Sequence, residues 1–406
     1  MPMCRRPRQF CKIFVFVFFE VLFSDATLWE YEVNFIQLLS IGTVKQMTQL
    51  HPDVYDREEL LGVAVVGCGY WGPNLIRNFY ENEQVQLVAV CDLDPKKLRK
   101  IGRRYPNVAL ETDFQAMLDN PALDAVVIAT PVHTHYPLAL KALQAGKHVL
   151  VEKPMAMNSQ QCLELIELAQ QKGLVLMVDH TFVYHGAVRR MKQELDSGNL
   201  GELLYFDSVR INLGLFQSDI NVIWDLAPHD LSMMDYLIGK QPVSVHASGA
   251  CHAGNGLEDI AYITIHFEDN IIAHFHVSWL SPVKARKILV GGTKKMMVYD
   301  DLESMEKLRI YDKGITVEQP QSDEERYASL VGYRIGDMMT PVLDLTEALK
   351  VEVAHFVDCA LSGKTPLTDG KAGMRIVQIL EATNEALRTG KPQTITQPEI
   401  VGVLSR

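Results

Sequence analysis

The chain has no C-x-x-C pair, no excess of basic residues, no apolar stretch long enough to cross a bilayer, and no internal repeat or low-complexity tract. Each absence excludes something. The seven cysteines (Cys4, Cys11, Cys68, Cys91, Cys162, Cys251 and Cys359) are scattered, which gives no zinc-site spacing and suits a reducing compartment. A net charge of −11 speaks against nucleic acid as a partner, because phosphate-tracking surfaces need surplus Lys and Arg. The longest early apolar run, Ile13–Phe19, is broken by Glu20 and is too short for a stable membrane span. What remains, 406 residues with 48% hydrophobic and 22% charged, is enough for two domains with sizeable cores.

Residues 1–60 stand apart from the rest. "MPMCRRPRQFCKIFVFVFFEVLF" has the basic start and apolar run of a signal peptide, and Arg5–Arg6 hints at twin-arginine export. No small-x-small cleavage site follows. The favoured expectation is coding ahead of a start at Met47, in a cytoplasmic protein; export is the alternative.

From Leu61 the pattern alternates between short apolar runs and helical stretches. "LGVAVVG", "VQLVAVCD", "LDAVVIATP", "GKHVLVEKP" and "LVLMVDH" are almost wholly apolar strands separated by helix-spaced segments. That rhythm predicts a parallel sheet covered on both faces. Beyond Thr181 it changes to "LLYFDSVRINL", a helix over Asp225–Ile238, and the strands "VSVHASG", "DIAYITIHFED", "NIIAHFHVSWL", "RKILVGG" and "KKMMVYDD". The fold class expected is an α/β Rossmann dinucleotide-binding domain (61–181) followed by an α+β domain with an open mixed or antiparallel sheet (182–345). Helices over Asp344–Ser362 and Gly370–Thr389, within 346–395, are expected to pack back on the first domain.

"VVGCGYWGPN" places Gly67, Gly69 and Gly72 in G-x-G-x-x-G spacing between a strand and a helix. The first glycine allows the tight turn, the second lets backbone approach a pyrophosphate, and the third lets helix and strand pack closely. The helix N-terminus then faces the phosphates. Asp92 ends the second strand, where a carboxylate accepts from the ribose hydroxyls and repels a 2′-phosphate, so NAD is expected over NADP. Tyr70 and Trp71 in the loop, and Thr130, Pro131, His135, Glu152 and Lys153 at neighbouring strand ends, complete the expected cofactor site. Arg103 and Arg104 sit too deep in the next helix to serve a 2′-phosphate.

"VLVEKPM" puts Glu152 and Lys153 at the carboxyl end of a buried strand, where open α/β sheets bind ligands. A lysine there can exchange a proton with a reacting hydroxyl. An ion pair with Glu152 is the plainer reading, but adjacent strand residues point to opposite faces. In "WDLAPHDLSMMDYL", Asp225 and His229 are four apart and share a face if the helix starts early, so the carboxylate can set the imidazole tautomer. The plainer alternative is an N-cap and a satisfied interior histidine.

These stretches, with "CDLDP" and "ATPVHTHYPLALKALQAGKHVLVEKP", resemble the Gfo/Idh/MocA family of sugar and cyclitol oxidoreductases from about Leu61 to Pro392. The resemblance implies catalysis by Lys153, Asp225 and His229, and a second-domain sheet whose open face forms a homo-oligomer. Two departures stand out: "NVIW" replaces paired glycines before Asp225, so Trp224 reshapes the substrate pocket, and a proline common near Gly186 is missing.

Further candidates surround this set. His180, Tyr184, Arg210 and Asn212, at the passage into the second domain, are expected to read substrate hydroxyls or carboxylates. Lys284, Arg286 and Lys287 are either a phosphate contact or exposed strand charges. His133 with His135 has no acidic partner nearby, so no metal is expected. His274 and His276, with His266 across a hairpin, fit a sheet surface at an oligomer interface. The function expected is NAD-dependent oxidation of a secondary hydroxyl on a sugar or nucleotide sugar. The alternatives are a keto-sugar reductase and a non-catalytic dinucleotide sensor.

Overall fold

The computed structural model describes residues 60–317 and 331–396, except 215, 218 and 255. The expectations about the leader and Met47 lie outside the described residues. The described residues form one compact unit built on two large sheets and a separate strand pair.

The first sheet is assembled from β1 (Leu61–Val66), α1 (Gly72–Tyr80), β2 (Val85–Cys91), α2 (Pro95–Arg104), β3 (Ala109–Glu111), α3 (Phe114–Leu118), β4 (Ala125–Ile128), α4 (His135–Gln144), β5 (His148–Glu152), α5 (Ser159–Lys172) and β6 (Leu176–Asp179). Its order is β3-β2-β1-β4-β5-β6, with every pairing parallel. The order reverses at β1, so the ends of β1 and β4 open the crevice in which such sheets bind ligands. Alternation along β1 divides two cores. Leu61, Val63 and Val65 face the core shared with α1, while Ala64 and Val66 face the core shared with α4 and α5.

The second sheet follows α6 (Gly186–Asp196) with β7 (Leu203–Leu213), α7 (Val222–Ile238), β8 (Pro242–Ala250), β9 (Ile260–Phe267), β10 (Ile272–Ser278), β11 (Leu280–Gly292), β12 (Met296–Asp300), β13 (Leu308–Tyr311), β14 (Gly314–Val317), β15 (Val331–Arg334) and β16 (Met338–Met339). After α8 (Ala348–Ser362) and α9 (Gly370–Thr389), β17 (Gln393–Thr394) joins its edge. The order is β16-β13-β12-β11-β7-β10-β9-β8-β17; β14 and β15 form a separate pair. β7 and β10 are parallel and the other pairings antiparallel, so the sheet is mixed. Inward residues such as Phe206, Ile263 and Phe275 are fully buried, while Tyr262, stacked on His276 at 4.5 Å, lies half-exposed on the outer face.

The last two helices take different places. Leu349, Val353 and Phe356 of α8 join the core on the α1 side of the first sheet. α9 packs against β8, α5, α7 and β6, bridging both sheets.

Two helix starts differ from expectation. α7 begins at Val222 because the Asn221 side chain accepts the Trp224 N–H at 3.2 Å and caps it a turn earlier. Pro228 therefore lies inside the helix, where it offers no N–H to the Trp224 carbonyl. α8 begins at Ala348, because Asp344 accepts from the Thr346 N–H at 2.9 Å and closes a turn instead.

Candidate active site

The glycine loop leaves β1 as the spacing requires. Gly67 has φ +99°, and a Cβ there would stand 2.4 Å from the Ala129 carbonyl oxygen; at Gly72 it would stand 2.0 Å from the Gly67 carbonyl oxygen. Neither position admits a side chain. Nothing stands within 4 Å of a Cβ at Gly69, so a ligand can approach the backbone there. No side chain caps α1, which leaves its N-terminal dipole open to phosphate. Asp92 is held by the N–H groups of Cys68 (2.6 Å) and Asp94 (2.8 Å). Lone pairs remain on its carboxylate for ribose hydroxyls, and the loop and acid together fit NAD.

A cavity of about 660 Å³ opens beside this loop. Gly69, Tyr70, Trp71, Thr130, Pro131, His135, Glu152, Lys153, Asn212, Trp224 and Asp225 all line it, together with Trp279, which no sequence pattern had singled out. His135 is a staple within this wall. Its ring nitrogens face the Pro154 and Thr130 carbonyl oxygens at 2.8 and 2.7 Å, which ties the end of β4 to the Lys153–Pro154 segment, where the peptide bond is cis.

Glu152 and Lys153 part company at the strand end. β5 and β6 pair Glu152 with Asp179, so their side chains share a face. Glu352 of α8 joins them, buried and with no hydrogen-bond donor on either oxygen. Burial, and then the Asp179 charge, push both glutamates well above the usual carboxylate range. Carboxylates cannot bond to one another unless one holds a proton.

Lys153 turns the other way. Its Nζ donates to the Asp225 carbonyl oxygen at 2.8 Å and lies 3.9 Å from the Asp225 carboxylate. Burial lowers its pKa, opposed by Asp225. Asp225 does not orient His229: its Oδ2 accepts from Trp279 Nε1 at 3.0 Å, and His229 Nδ1 has no partner. The i,i+4 spacing puts both on one side of α7, but Trp279 from the second sheet takes the carboxylate first. His229 instead packs edge-on against Phe182 at 5.2 Å and lines a neighbouring cavity of about 330 Å³ with Trp71, Glu152 and Asp179. Burial, then the Lys153 charge, holds it well below the usual imidazole range.

Several expected readers of substrate are occupied elsewhere. Arg210 is buried, with Nε at 3.0 Å and Nη2 at 2.7 Å from Asp230 Oδ1, and it lies over Phe182 at 4.6 Å. It supports the Phe182–His229 contact and offers the cleft no free fork. Tyr184 is buried with its hydroxyl 3.0 Å from Thr368 Oγ1. Among 284–287, Arg286 pairs with Asp301 and Lys287 with Asp300 at 3.2 and 3.0 Å, while Lys284 is exposed. They do not converge on a phosphate. His180 lines a third cavity behind the cleft. Of the residues missed, Glu352 was readable: it interrupts the apolar face formed by Leu349, Val353 and Phe356. Trp279 and Phe182 carried no such signal.

Among the described residues no group of three or more His, Cys, Asp or Glu is placed to hold a metal, and no helix is long and apolar enough to cross a membrane.

Residues 61–180 match the family model described as "Oxidoreductase family, NAD-binding Rossmann fold", and residues 188–298 match the GFO/IDH/MocA C-terminal domain. A 2,7-anhydro-N-acetylneuraminate hydratase of Mediterraneibacter gnavus is 28% identical, over 59% of this chain and 67% of that protein. The UDP-N-acetylglucosamine 3-dehydrogenase of Acidithiobacillus ferrooxidans is 28% identical, over 77% and 93%. Its solved structure superposes with a TM-score of 0.67 at 25% identity, covering 81% of this chain and 98% of that one. The matches run from the glycine loop through the lysine strand and α7 into the second sheet, and on that ground the chain belongs to the Gfo/Idh/MocA family of NAD-binding oxidoreductases.

Proposed function

We propose that the chain oxidises a secondary hydroxyl of an uncharged sugar or cyclitol ring, with Lys153 accepting the hydroxyl proton. The observation that carries this is the setting of Lys153. It is the only Lys or Arg among the described residues lining the large cavity, and burial lowers its pKa, which eases exchange of a proton with a hydroxyl. Bound NAD supplies the two-electron acceptor. The Asp225 carbonyl oxygen fixes the direction of the Lys153 ammonium, and Trp279 holds the Asp225 side chain. His229 is the second group able to exchange a proton or hold a hydroxyl.

Asn212, Asp219 and Asp225 give the cavity hydroxyl-binding groups, while Trp224 and Trp279 offer flat apolar faces. With acids and no arginine on that wall, it suits a neutral ring better than a phosphate. The nucleotide-sugar dehydrogenase among the relatives supports ring oxidation; a nucleotide portion would lie outside this cavity. Reduction of a keto-sugar uses the same groups in reverse.

The half-exposed Tyr262 and the His274 and His276 beside it support a homo-oligomer formed through the outer face of the second sheet, which light scattering checks. Cys68, Cys91, Cys162 and Cys359 are buried free thiols, which supports a cytoplasmic location.

The test is a screen of NAD reduction against free sugars, inositols and UDP-linked sugars, followed by nicotinamide absorbance. Turnover of free rings, abolished in Lys153→Met, is the expected outcome. Turnover confined to UDP-linked sugars sinks the neutral-ring assignment, and full activity in Lys153→Met sinks the role of the lysine. Tight NAD binding with no turnover in either direction favours the sensor.

A further inference from the structure

α2 is out of keeping with the rest of the chain. Six of its ten residues are Lys or Arg, and no acid occurs between Asp94 and Glu111, in a chain of net charge −11. Packing accounts for one face of the helix only. Leu98 and Ile101 turn inward to the core, and all six basic residues are exposed.

The way the helix starts brings one of them to the cofactor site. Asp92 Oδ1 accepts the Asp94 N–H at 2.8 Å, and the Asp94 side chain accepts the Lys96 N–H at 2.8 Å. These two successive turns begin α2 directly beside the Asp92 carboxylate. Lys97, in the first turn, comes back toward it, and its Nζ lies 3.7 Å from Asp92 Oδ2. The same oxygen accepts the Cys68 N–H of the glycine loop.

A surface ion pair is the plainer reading of this contact, and it explains little. At 3.7 Å the ammonium is beyond hydrogen-bond length, and its side chain is 46% exposed. Exposed pairs of this kind contribute almost nothing to stability. What the position does change is the charge that a ligand meets at Asp92. A carboxylate alone at the end of β2 admits a ribose 2′-hydroxyl and repels a 2′-phosphate. Here a cation stands beside the carboxylate, and the Asp92 side chain is the more enclosed of the two, at 10% exposed. Lys96 and Lys100, exposed on the same helix, add to the positive potential over it.

We propose that Lys97 is a determinant of cofactor choice: it offsets the Asp92 charge and binds the 2′-phosphate of NADP, so that the chain takes NADP as well as NAD. Phosphate oxygens accept from the Lys97 ammonium, a charge-assisted bond, while the neighbouring 3′-hydroxyl donates to Asp92. With NAD the 2′-hydroxyl donates to Asp92 as well, and Lys97 is not required. Arg103 and Arg104 take no part, because they lie roughly 9 Å or more further along the helix axis.

The test is fluorescence titration of the whole chain with NAD and with NADP. It needs no substrate, so it stands apart from the assignment of the ring that is oxidised. The wild type is expected to bind NADP with a Kd within about tenfold of that for NAD. Lys97→Gln is expected to raise the Kd for NADP about tenfold and to move that for NAD less than about twofold. Lys97→Arg keeps the charge and restores NADP binding. Arg103→Gln, at the far end of the same helix, leaves both constants unchanged, which separates a direct contact from a general positive potential.

Binding of NADP more than about a hundredfold weaker than NAD in the wild type overturns the proposal. So does an equal loss of both cofactors in Lys97→Gln, which marks the lysine as a support of the loop. A loss of NADP in Arg103→Gln as large as that in Lys97→Gln overturns it too. If the wild type oxidises no sugar or cyclitol, the proposed function falls, and these titrations still decide the role of Lys97.

Discussion

The two walls of the cleft are built in different ways. The cofactor wall comes from short segments, each shaped by its own turn or strand end: the 67–72 loop, Asp92, and the ends of β4 and β5. Its residues are set by local backbone demands, as at Gly67 and Gly72, where a Cβ would collide with carbonyl oxygens. The substrate wall draws on β7, α7 and the β10–β11 junction, and its key contact joins Asp225 to Trp279, 54 residues away. A wall made of local turns has a spacing signature. One made by folding distant strands together has none.

Lys153 joins the two walls and is where their separation is tested most sharply. Lys153→Met is expected to lower kcat about a thousandfold and leave the Kd for NAD unchanged by fluorescence titration. A parallel loss of NAD affinity would mean that the walls are not separable.

Arg210→Ala probes the substrate wall from below. It leaves Asp230 buried without its guanidinium and is expected to cost about 3–5 kcal/mol of stability, read from urea unfolding. Arg210→Lys recovers only part of this, because a lysine cannot reproduce the two-point contact. Gly72→Ala acts on the cofactor wall alone. Overpacking of about 1–3 kcal/mol is expected to lower the unfolding midpoint, and the displaced loop to raise the Kd for NAD by roughly tenfold to a hundredfold by fluorescence titration.

Trp279→Phe removes one hydrogen bond to the Asp225 carboxylate and keeps the ring. A fall in kcat of about tenfold, with the Kd for NAD unchanged, is expected for a bond of this kind. No change in kcat would show that the Asp225 carboxylate needs no anchor.

The smallest effect concerns pH. Glu352 has its folded pKa raised above the unfolded value, so the folded state binds more protons. Stability is therefore full below the ordinary carboxylate pKa and declines as pH rises toward the raised value. Glu352→Gln removes this decline. Thermal melts across pH 4 to 8 should show a flatter profile than the wild type in about that window.

How much was legible follows the same division. The strand–helix alternation announced the parallel sheet because fully buried strands must be apolar throughout, and the hairpin strands of the second sheet were visible as runs of alternating burial. The start of α7 was misplaced because Asp225 and Pro228 look like an opening turn, while Asn221 caps the helix first. Arg210 looked available because nothing local pairs with it. Its partner, Asp230, lies on a different element and meets it only when α7 packs against the second sheet.

By itself the sequence determined the glycine loop, the acid at the end of β2, and the opposite facings of Glu152 and Lys153, because turn sterics and strand alternation act over a few residues. Only the tertiary structure decided which groups those side chains meet. Glu352 came to Asp179 from α8, Trp279 took Asp225 before His229 could, and His180 was left facing a cavity. Partnerships between buried polar groups depend on distances between elements far apart in the chain, and no local pattern encodes them.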